Sequence, residues 1–383
     1  MIQQLINPIL SISQRLRIVK TILALSIITS IGFTINWWLP AGYYPRLSLY
    51  SFPYAEIVSY IVLVILSVSL IGVFLYRSPK FFIFLSTLCL LFAVFTDTAK
   101  GQYWLFFYIG ALLLLCGHNW RIDNPRRYSS VFTAIKILVC LVYILSAIQF
   151  FQTSINESVW LQFIAPLEKV CTPEQHKYIL GIRHIIPFIE LFVAVGLFVN
   201  RIKMASIVIG ICLHIFSFCL LLNETPYANA AVLVWNICMI FTLYFLFAGK
   251  TNEQKIYEVS FNLYGTLVLL LLVCGLFIKQ DLFPTNKIDL MQRNASEQFI
   301  YIKEKNKLPL YVQYFTYNNS NSVYNKLSIT KWCANEIKTQ QVLNNKQLLR
   351  VCDALKSYCG TNVDIVLHVE EKYNNKMAAN IYP

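Results

Sequence analysis

Two ionisable side chains stand inside long apolar runs: Glu190 in His184-Ile-Ile-Pro-Phe-Ile-Glu190-Leu, and His214 in Cys212-Leu-His214-Ile-Phe. A carboxyl group in such surroundings must be protonated or paired, and can carry a proton or anchor a substrate. A lone imidazole there can hold a proton, ligate a metal or bond a quinone oxygen. If the two face each other, each relieves the other's burial cost and together they form an acid–base pair. Each also has a plain structural reading, as a hydrogen bond to a neighbouring helix. Pro187, beside Glu190, is expected to free a carbonyl and kink the helix.

Further polar groups recur in apolar segments. Asn229 and Asn236 are seven residues apart, on one helical face, with Trp235 beside the second. They read as interhelical amide bonds or as a polar ligand strip. Gln149 follows Ser146 and Ala147, small residues that suit close helix approach. Asp97, Lys100, Gln102, Trp104 and Tyr108 crowd one turn between two apolar runs, and Asp97 and Lys100 are expected to pair. Asp97, Lys100, Gln102, Trp104, Gln149, Asn229, Trp235 and Asn236 are the candidate substrate contacts, with Glu190 and His214 the candidate catalytic pair.

What must position them follows from composition. The chain has 383 residues, 57% hydrophobic and 13% charged, with a mean hydropathy of +0.56. A soluble domain averages about 45–50% apolar and about 25% charged. A spanning helix needs about 20 apolar residues, and about nine such runs are present. They lie at 19–39, 55–76, 80–97, 101–118, 131–152, 184–200, 202–222, 228–248 and 257–278. The expected fold is an all-α polytopic membrane bundle over 1–280, followed by a small α+β soluble unit over 281–383. In that unit, Ser296 to Lys303, Pro309 to Tyr317 and Val363 to Glu370 alternate as strands do, and Asn344 to Tyr358 has helical spacing ended by Gly360.

The net charge of +13 reads as basic flanks of spans, and no basic groove with interleaved aromatics points to nucleic acid. Arg15, Arg17 and Lys20, Arg77 and Lys80, Arg121 with Arg126 and Arg127, Arg201 and Lys203, then Lys250 and Lys255 fall on alternate loops. This places the N-terminus in the cytoplasm and the tail in the periplasm of a bacterial inner membrane. Trp37, Trp38, Tyr43 and Tyr44 read as an interfacial aromatic belt, and 159–164 as an interfacial helix. No cleavable signal peptide is evident at the N-terminus. Of eleven cysteines, eight lie in or beside apolar runs as packing residues. No Cys/His set has zinc spacing, and no phosphate-binding loop, haem site or Ser/His/Asp set is present. Cys333, Cys352 and Cys359 lie in the tail. Cys352 and Cys359 stand about 10 Å apart along one helix, so any bridge uses Cys333; free thiols are equally consistent.

The ordered motifs resemble the DoxX/MauE-like integral membrane proteins, with a remoter similarity to the membrane part of vitamin K-dependent carboxylase-like (HTTM) proteins. The resemblance rests on Asp97-Thr-Ala-Lys100-Gly-Gln102-Tyr-Trp104-Leu-Phe-Phe-Tyr108, Tyr143-Ile-Leu-Ser146-Ala-Ile-Gln149-Phe150-Phe-Gln152, Pro187-Phe-Ile-Glu190 through Gly196, His214, and Asn229-Ala-Ala-Val-Leu-Val-Trp235-Asn236. It covers roughly 80–370. Phe150 stands where the family has lysine, Lys100 where it has arginine, and Tyr103 and Val234 where it has prolines. The resemblance implies a redox-associated or maturation role beside thioredoxin-like or respiratory partners. The first reading is accordingly an accessory protein that supports redox chemistry or maturation of exported proteins, with the tail as partner surface; the sequence names no cofactor, and quinone and lipid are the candidates. The competing reading is a membrane enzyme, carboxylase-like or quinone-linked, acting through Glu190 and His214. A transporter would show inverted repeats or paired broken helices, and neither is clear.

Overall fold

A computed structural model describes residues 10–39, 55–97, 100, 103–117, 120, 125–152, 172, 184–223, 230–248, 296–303, 305–317, 324–337, 345–359, 365–371 and 378–380. The first run of these is helical: α1 (Ile12–Phe33), α2 (Ile35–Trp38), α3 (Ala55–Leu75), α4 (Lys80–Thr96), α5 (Tyr103–Cys116), α6 (Pro125–Gln152), α7 (Ile186–Gly196), α8 (Lys203–Asn223) and α9 (Ala230–Phe247). Five helices are long and apolar enough to cross a membrane, within α1, α3, α6, α8 and α9; α4, α5 and α7 are apolar but shorter. Eight of the nine expected runs thus carry a helix. The run at 257–278 and the segment 159–164 lie outside the described residues.

Helix α1 sits at the centre, packed against α3, α5, α6 and α9. Its start lies earlier than hydropathy suggests, because Ser11 and Gln14 form a reciprocal cap: Gln14 N donates to Ser11 Oγ (3.3 Å) and Ser11 N to Gln14 Oε1 (2.9 Å). That cap draws Arg15, Arg17 and Lys20 into the helix instead of leaving them as a flank. Arg15 is 1% exposed and Lys20 4%. Arg15 Nη1 donates to the Ala248 carbonyl (2.6 Å) and Lys20 Nζ to the Tyr76 carbonyl (3.1 Å). Both acceptors sit just past the C-termini of α9 and α3, where carbonyls lack helical partners and the dipole favours a cation.

Helix α3 shows what the bundle offers its surroundings. Ile57, Ile61, Val64, Val68, Ile71 and Leu75 are exposed along it. An exposed apolar stripe of that length suits hydrocarbon, not water. Trp38 differs from a belt residue: it is 3% exposed, its Nε1 donating to Thr34 Oγ1 (3.2 Å). Trp37, Tyr43 and Tyr44 lie outside the described side chains.

The tail holds β1 (Ser296–Ile302), a short helix α10 (Leu310–Gln313), β2 (Thr316–Tyr317), β3 (Asn325–Ser328), α11 (Ile329–Ile337), α12 (Asn345–Cys359), β4 (Ile365–Glu371) and β5 (Ala378–Asn380). The strands form one antiparallel sheet in the order β2-β3-β1-β4-β5. Ile300, Ile302 and Leu327 of the sheet meet Trp332, Leu348, Val351, Cys352 and Leu355 of the helices in a buried core. The expected strand over 309–317 shrinks to its last two residues. Pro309 starts a helical turn, and Leu308 and Val312, four apart, are both buried, which is helical spacing. Helix α11 also packs on α2, and Cys333 joins the apolar cluster that contains Trp38. The tail therefore rests on the bundle.

The same division bears on the tail cysteines, for which a bridge through Cys333 and free thiols were both consistent with the sequence. Cys352 belongs to the tail core and is a free thiol, while its candidate partner Cys333 faces the bundle cluster. The side chain of Cys359 is outside the described residues. Burial, aided by the neighbouring Asp353 charge, pushes the Cys352 thiol up to about 12. A folded-state value above the unfolded one stabilises fully below pH of about 9 and is lost as pH rises towards 12. Stability of the tail should therefore fall across that window, and Cys352→Ala should flatten the difference; a chemical-denaturation series from pH 8 to 11 on both proteins measures it. Identical slopes would show that Cys352 plays no part.

Candidate functional site

Four helices converge on two sets of polar side chains. In the first, Tyr143 Oη lies 2.8 Å from His214 Nε2, and His214 Nδ1 lies 2.9 Å from Asn236 Oδ1. Asn236 Nδ2 donates to the carbonyl of Val232 one turn earlier (2.9 Å). Because that bond requires the amide nitrogen, Oδ1 is the atom that faces the imidazole. A carbonyl oxygen only accepts, so Nδ1 carries a proton, and in the neutral imidazole Nε2 then accepts from the Tyr143 hydroxyl. One backbone bond on α9 thus fixes the tautomer of a histidine on α8 and the donor direction of a tyrosine on α6.

In the second set, Ser146 Oγ donates to Glu190 Oε1 (2.9 Å). Tyr143 and Ser146 are three residues apart on α6, so the two sets are stacked one turn from each other. All are buried: Tyr143 3% exposed, Ser146 7%, Glu190 3%, His214 5% and Asn236 1%. Of the bonds identified, that of Glu190 runs to Ser146 of α6, and those of His214 to Tyr143 of α6 and Asn236 of α9. Pro187 occupies the first turn of α7, where its missing N–H costs nothing, so no kink is needed to explain it. Trp235 stands edge-on to His214, centroids 5.6 Å apart at 89°.

Small residues make this approach possible. A methyl group added at Gly210 would sit 3.0 Å from Leu243 Cδ1, 3.3 Å from the Tyr143 hydroxyl and 3.3 Å from Val193 Cγ1. Three helices close on that one glycine. Gly210→Leu should cost about 1–3 kcal/mol by overpacking and push Tyr143 off His214. A thermal or denaturant midpoint within error of the parent would refute this.

A separate cluster forms where α4 ends and α5 begins. Asp97 Oδ2 and Lys100 Nζ are 4.0 Å apart with side chains 9% and 4% exposed. Lys100 Nζ also sits 5.3 Å from the centre of the Trp38 ring. Trp104 packs edge-on to Tyr108, centroids 5.9 Å apart. A narrow groove at Lys100 is also lined by Trp38, Ser59, Val62, Leu66, Phe92 and Thr96. The expected Asp97–Lys100 pairing is present.

The structure therefore gathers Asp97 and Lys100 in one place and Glu190, His214, Trp235 and Asn236 in another. Gln102, Asn229 and the side chain of Gln149 are outside the described residues. Sequence reading missed Tyr143 and Ser146 as partners; their three-residue spacing on α6, facing two intramembrane ionisable groups, was the available signal. Among the described residues no group of histidine, cysteine and carboxylate side chains could hold a metal ion. No protein-family model, curated protein or solved structure matches the chain. The DoxX/MauE-like resemblance accordingly stands on its motifs.

Proposed function

We propose that this chain is an integral protein of a bacterial inner membrane with a DoxX/MauE-like accessory role, supporting redox chemistry or maturation of exported proteins. In this reading the N-terminus is cytoplasmic and the tail extracytoplasmic, where it offers the partner surface. The supporting observation is the use to which the central polar groups are put. Tyr143, Ser146, Glu190, His214 and Asn236 bond across α6, α7, α8 and α9, which ties these four helices together in a bundle whose α2 carries the tail. Crosslinking in native membranes, followed by mass spectrometry of captured proteins and lipids, tests the role. A recurrent extracytoplasmic redox or maturation partner is expected. Recovery of the chain alone, with crosslinker reactive at tail lysines, would overturn it.

One observation favours the alternative, a membrane enzyme that acts on a carbonyl-bearing or quinone substrate through Glu190 and His214. Trp235 is 7% exposed and its indole N–H has no hydrogen-bond acceptor among the described residues. An indole N–H only donates, and a ligand oxygen beside His214 would satisfy it. Retention of a quinone through purification, lost in Trp235→Phe while the fold persists, is the expected signature. A ligand-free protein with an unchanged Trp235→Phe profile removes this reading.

A further inference from the structure

The fully buried cations of the bundle have acceptors: Arg15 donates to the Ala248 carbonyl, Lys20 to the Tyr76 carbonyl, and Lys100 stands by Asp97. Two partly buried lysines differ. Lys136 of α6 and Lys203, the first residue of α8, have neither a hydrogen bond nor an ion pair among the described residues. The Lys136 ammonium instead lies 4.5 Å from the centre of the Phe132 ring and 5.3 Å from that of Phe247. Phe247 is the last residue of α9, and the next carbonyl, that of Ala248, is the one that Arg15 holds. Lys136 and Arg15 therefore meet at the end of α9. Arg15 and Lys203 are the charges that act on Lys136, and Arg15 acts on Lys203 as well. The other titratable neighbour of Lys136 is the Cys140 thiol, of a type neutral at pH 7. Three helices thus bring three positive charges together, and no carboxylate among the described residues acts on Lys136 or Lys203.

Like charges repel the more strongly the less water surrounds them. A ring face offsets part of a cation's lost hydration but leaves the repulsion in place; an anion between the cations turns it into attraction. The height of the cluster says which anion is at hand. Lys203 opens the apolar span Lys203–Leu222, and Arg15 stands near the start of Ile12–Phe33. Lys136 lies deeper, six residues into Ser130–Ile148, about 9 Å along the axis at 1.5 Å per residue. Its stem carries the ammonium back over Phe132, one turn nearer the helix start, and so to the end of α9. The three charges converge where apolar spans give way to water, which is the level of the lipid phosphates. Beside Lys203, Met204, Val208 and Ile215 are exposed on one face of α8 and offer an apolar surface running away from that level.

We propose that Lys136 and Lys203, with Arg15 behind them, seat the phosphate of an anionic phospholipid whose acyl chains lie along the exposed face of α8. An ammonium offers three donors as a compact point charge, which suits a phosphate approached from several sides. A basic seat between helices is how membrane proteins hold acidic head groups. A phosphodiester here supplies the acceptor that both lysines lack and ties α6 to α8 through a charge that neither helix carries. The inference rests on the bundle lying in a bilayer and not on the roles of Glu190, His214 or the tail.

Thermal unfolding of the full chain in nanodiscs of phosphatidylcholine, with and without phosphatidylglycerol, tests this. Phosphatidylglycerol should raise the midpoint of the parent, and Lys136→Met and Lys203→Met should each remove most of that rise. In phosphatidylcholine alone the same variants should match or exceed the parent, because they relieve repulsion; a lysine with a merely structural role would lower the midpoint in both lipids. Lys136→Arg keeps the charge and should keep the rise. Lys80→Met, at an exposed lysine that starts α4, controls for the general attraction of basic residues to an acidic surface and should leave the rise intact. No rise in the parent, a rise that both methionine variants retain, or an equal loss in Lys80→Met overturns the inference. So does inorganic phosphate raising the midpoint in phosphatidylcholine as far as phosphatidylglycerol does, since the seat would then serve a free anion. Failure to enter nanodiscs at all would count instead against the membrane reading.

Discussion

Replacing Lys100 with methionine is expected to destabilise the bundle by about 3–5 kcal/mol, the range for stripping one partner from a buried ion pair. The same pair on a surface would be worth about 0–1 kcal/mol. What separates the two cases is burial: both side chains are under 10% exposed at 9% and 4%, and the cation sits over the Trp38 ring. Methionine keeps the length and apolar stem of lysine, so the loss reports the charge and not a cavity. Asp97 loses its buried ion-pair partner. The double replacement Asp97→Asn/Lys100→Met should recover much of the loss, because an ion pair often does no better than neutral side chains of similar size. Unfolding in a detergent–denaturant titration of the two single variants and the double one measures the cycle. If Lys100→Met alone stays within about 1 kcal/mol of the parent, the pair behaves as a solvated one and the reading of this turn as a buried site fails.

His214→Leu carries the second large effect, about 2–4 kcal/mol, because it leaves two buried groups without their bond, each worth about 1–3 kcal/mol. A lost interhelical hydrogen bond alone averages only about 0.6 kcal/mol in a membrane protein. The orphaned Tyr143 hydroxyl and Asn236 carbonyl oxygen supply the remainder. Tyr143→Phe added to His214→Leu should therefore cost less than it does in the parent. Glu190 offers the control: its bond runs to Ser146, so Glu190→Gln and His214→Leu test whether the two sets are coupled. A coupling energy above about 0.5 kcal/mol would join them into one unit, as an acid–base pair requires; strict additivity would keep them as two separate clasps. A His214→Leu loss below about 0.6 kcal/mol would mean that the histidine orients nothing.

Some of this was legible in the chain itself. Long apolar runs dictated helices, because a backbone in hydrocarbon must satisfy its own hydrogen bonds, and eight of the nine runs are helices where the structure describes them. Asp97 and Lys100 lie three residues apart across one turn, so their pairing is a local matter. Glu190 and His214 stood out because a titratable group is costly in an apolar run wherever the fold puts it. The helical spacing of Asn344 to Tyr358 was legible as well, and α12 (Asn345–Cys359) stands there.

Tertiary structure alone decided the partners. Tyr143 and His214 are 71 residues apart, and Arg15 and Ala248 are 233 apart; no spacing rule connects them. Arg15 and Lys20 looked like a flank because hydropathy sees only neighbours in sequence, whereas the carbonyl ends of α9 and α3 that they cap arrive from elsewhere. Cys333 could be weighed as a disulfide partner from the sequence, but which of two cores it entered depended on the tail resting on the bundle. The sequence determined which groups could not be left alone in hydrocarbon. The packing of α6 through α9 determined which group each of them meets, because hydrogen-bond partners are set by distance in space and not by distance along the chain.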